Sequence, residues 1–108
     1  MGRGDHLGEF EQIVLLAVAR SDAEAYGMRI RREIEARTER PVTIGAVYAT
    51  LDRLAAKGFL QSRDDSAAGR ARRFFAITPA GVDALEAARD LQARMWSGLR
   101  LRRAARRP

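Results

Sequence analysis

The sequence predicts a mainly α-helical fold with one small β-hairpin, and three observations support this prediction. Apolar residues recur at helical spacing in three successive segments that end near residue 58. Between residues 59 and 78 the pattern changes to two short strand-like segments joined by a turn-rich stretch. After the Thr-Pro pair at 78–79, helical spacing returns and continues to about residue 99. We therefore expect three helices, a hairpin and a fourth helix.

The first two helices are predicted over Leu7 to Arg20 and over Ala25 to about Thr38. Glu9 and Glu11 lie near the start of the first helix, where acidic side chains favour a helix N-terminus. Pro41 closes the second segment, because the residue before a proline avoids helical geometry. The apolar face of the first helix comprises Phe10, Ile13, Val14, Ala17 and Val18, and that of the second comprises Tyr26, Ile30 and Ile34.

The third helix has the clearest pattern. Thr43 is positioned to cap its N-terminus, and Gly58 is a residue type that commonly ends helices. Its apolar residues follow the i, i+3, i+4, i+7 spacing of an amphipathic helix: Ile44, Val47, Tyr48, Leu51, Leu54 and Ala55. The opposite face is small, polar and basic, and consists of Ala46, Ala49, Thr50, Arg53 and Lys57.

The hairpin and the last helix complete the predicted fold. One strand is predicted over Phe59 to Arg63 and the other over Arg72 to Thr78, with a turn-rich tip from Asp64 to Gly69. The hydroxyl of Thr78 and the proline at position 79 then begin a helix. The apolar residues of this helix are Val82, Leu85, Ala88, Leu91, Met95 and Leu99.

Three helices followed by a hairpin form a winged helix-turn-helix. We predict this DNA-binding domain over residues 1–78, a C-terminal dimerisation helix over 79–103 and a disordered basic tail over 104–108. The third helix would enter the major groove of duplex DNA, which is about 12 Å wide, and the hairpin tip would contact phosphates or the minor groove beside it. The predicted DNA-binding residues are Thr43, Ala46, Tyr48, Ala49, Thr50, Arg53, Lys57, Arg70, Arg72 and Arg73.

The composition favours a polyanionic partner and excludes several other functions. The 108-residue chain has a formal net charge of +6, and all of its 20 basic residues except Lys57 are arginine. It has no cysteine and one histidine, His6, which excludes thiol chemistry, a histidine-based metal centre and a Ser-His-Asp relay. We therefore predict no enzyme activity, metal or cofactor. No apolar run approaches the roughly 20 residues that a membrane helix needs, so we expect a cytoplasmic protein.

The last helix has a broad apolar face, of which the rest of the fold can cover only one side. An exposed apolar patch of that size usually marks an interface, and a two-fold homodimer is the simplest arrangement that buries it. Met95 and Trp96 would also offer an adaptable surface to a small hydrophobic or aromatic effector, although packing in the dimer is the favoured role of Trp96. The predicted interface and ligand residues are Leu15, Leu91, Met95, Trp96 and Leu99.

Four sequence blocks carry a resemblance to a known family. They are Leu7-Gly8-Glu9-Phe10-Glu11, Tyr26-Gly27, the segment Gly45 to Leu54 with Gly58-Phe59-Leu60, and the segment Arg73 to Gly81. Together they resemble the PadR family of bacterial transcriptional regulators, in particular its short members with a single C-terminal helix. The resemblance implies a homodimeric winged-helix repressor with Tyr48 near the DNA backbone. The chain departs from the family at Ala49, where many members have proline, and at Phe74 and Phe75, where tyrosines are common.

The main hypothesis is a dimeric, sequence-specific repressor that occupies a pseudo-palindromic operator and blocks polymerase. A ligand could release it by changing the spacing of the two recognition helices, which must match about 34 Å, one turn of DNA. Two alternatives remain open. One is a winged-helix module that binds protein through its wing or last helix, and the other is a non-specific architectural DNA binder.

Overall fold

The helices and strands follow one another along the chain in the predicted order. In the computed structural model, which describes residues 6–65 and 72–103, α1 spans Glu9–Ser21, α2 spans Gly27–Thr38 and α3 spans Ile44–Ala56. Strands β1 and β2 span Leu60–Asp65 and Arg72–Ile77, and α4 spans Pro79–Trp96. A short 3-10 turn over Asp22–Glu24, which the sequence pattern did not indicate, joins α1 to α2. The prediction of a mainly helical fold with a small hairpin is confirmed.

Both threonine caps form as expected. The Thr43 hydroxyl accepts the Ala46 N–H at 3.0 Å, and the Thr78 hydroxyl accepts the Gly81 N–H at 3.0 Å. Each cap satisfies a backbone donor that the first turn of a helix leaves without a partner. Thr78 also donates its hydroxyl proton to the Gly58 carbonyl at 2.7 Å, so the start of α4 is fixed to the turn that follows α3.

The core lies between the first three helices and the hairpin. Burying a large aliphatic side chain contributes about 1.5–3 kcal/mol, so this cluster accounts for much of the stability of the fold. The largest fully buried side chains are Val14, Leu15, Val18, Ile30, Val47, Leu51 and Leu54, and the hairpin adds Leu60 and Phe75.

The hairpin is an antiparallel ladder that also pairs with the segment before α2. Leu60 lies opposite Ile77, and Asp65 lies opposite Arg72, so Asp64 and Asp65 belong to β1 rather than to the predicted tip. Tyr26 forms an isolated bridge to Phe74 on the other edge of β2, where the Phe75 N–H donates to the Ala25 carbonyl at 2.8 Å. The start of α2 is therefore attached directly to this hairpin, which is the wing of the fold.

Only the first half of α4 packs on the rest of the chain. Ala84 and Leu85 contact the core, whereas every residue from 89 to 103 is exposed. The predicted helix continues to residue 103, but α4 ends at Trp96, because Gly98 takes a left-handed φ of 73° that breaks the helical path. The predicted basic tail over 104–108 lies outside the described residues.

Candidate nucleic-acid interface

The first two turns of α3 present a narrow outer surface. Gly45, Ala46 and Ala49 are exposed, and none has a side chain larger than a methyl group. On the opposite side, Val47 and Leu51 are completely buried, which fixes the rotation of the helix against the core. The backbone of α3 can therefore approach a flat or grooved partner closely.

Tyr48 lies at the edge of this surface, with 37% of the residue exposed. Its ring packs against Gly27 at the start of α2, where a Cβ atom would overlap Cζ and Oη of the tyrosine and lie 2.9 Å from Cε1. The absence of a side chain at position 27 thus creates the seat for the ring. The tyrosine contributes packing with its ring while its hydroxyl reaches the boundary between α2 and α3.

The two cations at the C-terminal end of α3 share one carboxylate. The Lys57 ammonium lies 3.0 Å from Oε2 of Glu11, and Nε of Arg53 lies 3.4 Å from the same oxygen. The Glu11 side chain is only 10% exposed, whereas that of Arg53 is 55% exposed. Glu11 therefore holds one edge of the Arg53 guanidinium and leaves the rest of it accessible.

The environment of Glu11 favours its charged form. Burial by itself raises the pKa of this carboxyl, but the Gly8 N–H, the Lys57 ammonium and the Arg53 guanidinium together outweigh burial. The pKa of Glu11 consequently lies below its ordinary value. A buried, ionised carboxylate from α1 thus fixes the end of α3. The cations that it contacts there lie 42 or more residues away along the chain.

Thr50 requires a correction, because it was expected on the DNA-facing side of α3 but is only 2% exposed. It lies three residues after Val47 and four before Leu54, inside the buried stripe of the helix. Its hydroxyl accepts an N–H of Arg53 at 3.2 Å. Thr50 therefore positions Arg53 and does not itself reach a partner.

The wing arginines stack on aromatic rings. The Arg72 guanidinium lies 4.3 Å from the centre of the Tyr26 ring, and that of Arg73 lies 5.1 Å from the Phe75 ring. Arg73 also forms an ion pair with Asp52 at 3.1 Å, which links the wing to α3. Arg70, the third predicted wing residue, lies outside the described residues.

Most of the predicted interface residues lie on the projecting half of α4. Met95 and Trp96 are 74% and 54% exposed, and Leu91 and Leu99 are also exposed. Leu15 does not join them: it is completely buried in the core, because Val14, Leu15 and Val18 share the inward face of α1. The large apolar residue that is exposed on α1 is instead its neighbour Leu16.

The sequence interpretation missed three side chains that organise this surface. Glu11 was interpreted as a helix-start residue, and it does accept the Gly8 N–H there at 2.9 Å, but it also falls on the buried face of α1, four residues before Leu15, which the interpretation missed. Tyr26 was interpreted as a core residue, and nothing local indicates that it meets Arg72 of the wing. Asp52 is exposed, and its ion pair with Arg73 joins residues 21 positions apart, which no local spacing indicates.

Within residues 6–65 and 72–103, no group of three or more acidic or histidine side chains could hold a metal ion. In the same part of the chain, no helix is both long enough and apolar enough to cross a membrane.

Three helices, a two-stranded wing and a projecting C-terminal helix define a winged-helix protein. The chain belongs to the Transcriptional regulator PadR-like family, which it matches over residues 15–87. Members of this family are DNA-binding transcriptional regulators rather than enzymes. The chain is similar to transcriptional regulator Rv3488 of Mycobacterium tuberculosis, with 42% identity over 65 residues. That match covers 60% of this chain and 60% of the length of the relative.

Solved structures show the same fold. RosR of H. salinarum is 26% identical with a TM-score of 0.68, and the match covers 87% of this chain and 81% of RosR. A PadR family transcription regulator from Clostridium difficile R20291 is 22% identical with a TM-score of 0.67, over 80% of this chain and 90% of that one. The DNA binding of BpsR of Bordetella bronchiseptica is regulated by 6-hydroxynicotinic acid. BpsR is 19% identical with a TM-score of 0.63, and the match covers 93% of this chain and 72% of BpsR.

Proposed function

We propose that this chain is a dimeric, sequence-specific DNA-binding repressor of a pseudo-palindromic operator. The observation that carries the proposal is the outer face of α3, where the small residues Gly45, Ala46 and Ala49 are exposed along with Tyr48 and Arg53. Such a face can enter the major groove and bring the accessible edge of Arg53 to a base or a phosphate. Thr43, exposed at the start of α3, is the further phosphate contact that we propose.

The proposed dimer rests on the projecting half of α4. Five large apolar side chains in this half of α4 and in the segment after it are more than half exposed: Leu91, Met95, Trp96, Leu99 and Leu101. A second copy related by a two-fold axis would bury this face and place two recognition helices on one side of the assembly. Each helix would then occupy one half-site, with the half-sites about 34 Å apart.

Repression would follow from occupancy, because a dimer bound across an operator blocks polymerase. An effector that packs between the C-terminal helices would change the spacing of the two recognition helices and so weaken binding. Trp96, half-exposed and next to Met95, is the side chain on which we place such a flat apolar effector. The regulation of BpsR by 6-hydroxynicotinic acid supports ligand control within this fold.

The experiment that tests the proposal is selection of binding sites from a random duplex library at about 0.15 M salt. We expect enrichment of an inverted repeat whose half-sites are one helical turn apart. Arg53→Ala should then weaken binding to the selected operator more than binding to a scrambled duplex. Arg37→Ala is the matched control. It removes the same charge, but from a side chain near the end of α2 that pairs with Glu33.

A second candidate is a non-specific architectural DNA binder, and the same face of α3 favours it. Glycine and alanine side chains offer no hydrogen bond to a base edge, so the exposed part of α3 carries little base-specific chemistry. Binding without enrichment of any sequence would support this candidate over the repressor. Failure to retain any DNA would instead favour a module that binds protein through the wing or α4.

A further inference from the structure

Two arginines from distant parts of the chain meet at one tyrosine. The Arg32 side chain of α2 donates to the Tyr26 hydroxyl at 3.2 Å, and the Arg72 guanidinium of β2 lies 4.3 Å above the centre of the same ring. Tyr26 itself is held by its backbone bridge to Phe74 and by an edge-to-face contact with the Phe74 ring at 5.7 Å. The position of the tyrosine is therefore set by the wing and α2 together.

Neither arginine has a carboxylate partner in the described part of the chain. The other arginines of α2 are ion-paired: Arg29 with Glu24, Arg31 with Glu35 and Arg37 with Glu33. The guanidinium group stays charged under all ordinary conditions, so two positive charges are held near each other by one tyrosine, with Asp65 opposite Arg72 in the hairpin. Two positive charges held this close repel each other, and an anion that approaches both groups would relieve the repulsion.

The contacts with Tyr26 orient the two guanidinium groups without using up their donors. The Arg72 guanidinium lies over the ring, and Arg32 uses one N–H, so among the described residues N–H groups of both side chains remain available for another acceptor. A planar guanidinium can give two parallel hydrogen bonds to a phosphate, and prior orientation lowers the entropy lost when it does so. The chemistry of the site therefore fits a phosphodiester oxygen.

The location of the pair connects it to the recognition helix. Gly27 follows Tyr26 directly, and the Tyr48 ring of α3 packs on that glycine. A DNA strand that passes the exposed face of α3 would next meet the start of α2, since the first helix of a helix-turn-helix unit crosses the backbone.

We propose that Arg32 and Arg72, oriented by Tyr26, form a clamp for the DNA backbone phosphates next to the groove that α3 enters. The clamp is independent of base sequence and supplies part of the salt-dependent affinity. It rests on the DNA binding proposed above, but it requires neither an operator nor a dimer.

The test measures the binding constant of the full chain for the selected operator and for a scrambled duplex between 50 and 200 mM salt. Each lost phosphate contact should reduce the slope of log K against log salt by about 0.9. We therefore expect Arg32→Ala and Arg72→Gln each to flatten the slope by about that amount on both duplexes. Over this salt range the affinity of either variant would fall about 3.5-fold less than that of the wild type.

Arg29→Ala is the matched control. Arg29 lies one helical turn from Arg32 and already pairs with Glu24, so the substitution removes the same charge from a side chain that is not part of the clamp. Its slope should remain close to that of the wild type. Arg72→Lys should keep the slope, because a point charge still neutralises a phosphate, while it loses affinity with the planar stack. Circular dichroism of each variant checks that the wing remains folded.

The role of Tyr26 is tested by a double-mutant cycle. Tyr26→Phe removes the acceptor of Arg32 but keeps the ring under Arg72, so it should weaken DNA binding in the wild type and have no further effect in Arg32→Ala. Equal weakening in both backgrounds would overturn the positioning role of the hydroxyl.

The clamp and the proposed function can fail separately. Unchanged slopes for Arg32→Ala and Arg72→Gln, or an equal change for Arg29→Ala, would overturn the clamp even if an operator is selected. Flattened slopes on every duplex without an enriched sequence would support the clamp and overturn operator recognition. A chain that binds neither duplex would overturn both.

Discussion

The winged-helix part of the molecule and the second half of α4 differ in where their side chains find partners. In α1, α2 and α3, the large apolar residues of the inward faces are buried against one another. Polar side chains join separate elements there, as Glu11 does between α1 and α3. From residue 89 to residue 103, by contrast, every residue is exposed, although several are large and apolar.

This difference separates what one chain determines by itself from what requires a second molecule. The contacts within the winged helix are sufficient to fix the positions of α3 and the wing. The second half of α4 has no comparable contacts among the described residues, so under the proposed dimer its packing is supplied by the partner subunit. Substitutions in the two regions should accordingly differ in their dependence on protein concentration.

The largest effect is expected from Leu15→Ala. Leu15 is completely buried, so truncation should lower the free energy of unfolding by about 2–5 kcal/mol at any protein concentration. Leu91→Ala is the matched control, since it removes the same atoms from a side chain that is 52% exposed. Urea unfolding at two protein concentrations should show a lower free energy of unfolding for Leu91→Ala only at the concentration where the dimer is populated. A concentration-independent loss of equal size would contradict the distinction between the regions.

Met95→Asp should have the next largest effect, and on association rather than folding. Met95 is 74% exposed, so the monomer should retain its helical circular dichroism. A charge in a desolvated interface should raise the dimer dissociation constant by about 30-fold or more, measured by sedimentation equilibrium. Arg94→Asp, about 100° around the helix, is the control and should change that constant much less. Dimers of undiminished affinity would place the interface elsewhere.

The predictable part of the molecule is the part that short-range periodicity determines. The stripe of Val47, Leu51 and Leu54 and the Thr43 cap were predicted from spacing alone, and both are present. These features depend on residues within one or two turns of each other. The order of the helices and strands was predictable for the same reason.

The errors arise where a polar residue occupies a buried position or where distant segments meet. On α1 the inward residues include Glu11, Val14 and Leu15, and a hydrophobic pattern that omits Glu11 rotates the predicted face. Burial of the carboxylate depends on Lys57, which lies 46 residues away. The meeting of Tyr26 with Arg72 likewise depends on the bridge to Phe74, which no local spacing indicates.

Gly27→Ala tests whether close packing inside the winged helix sets the position of Tyr48. The new methyl group would overlap the tyrosine ring, and overpacking of this kind costs about 1–3 kcal/mol. Thermal unfolding should show this loss when Gly27→Ala is made in the wild type, and most of the loss should disappear when Gly27→Ala is made in the Tyr48→Ala background. An equal loss in both backgrounds would assign the cost to the backbone of α2 rather than to the ring.

The smallest expected effect is that of Glu11→Gln, which neutralises the link between α1 and α3. At pH 7 it should cost about 1–2 kcal/mol, because Lys57 and Arg53 lose a charged acceptor that is largely buried. The folded-state pKa of Glu11 is lowered, so the stabilisation is complete above the ordinary value of 4.5 and is lost as the pH falls through the lower folded-state value. Urea unfolding of wild type and variant from pH 7 to pH 3 should show the difference shrinking in acid. Glu9→Gln, at an exposed position, is the control for the loss of one negative charge from α1. A difference between wild type and Glu11→Gln that stays constant across this range would show that Glu11 stabilises the helix pair by packing rather than by charge.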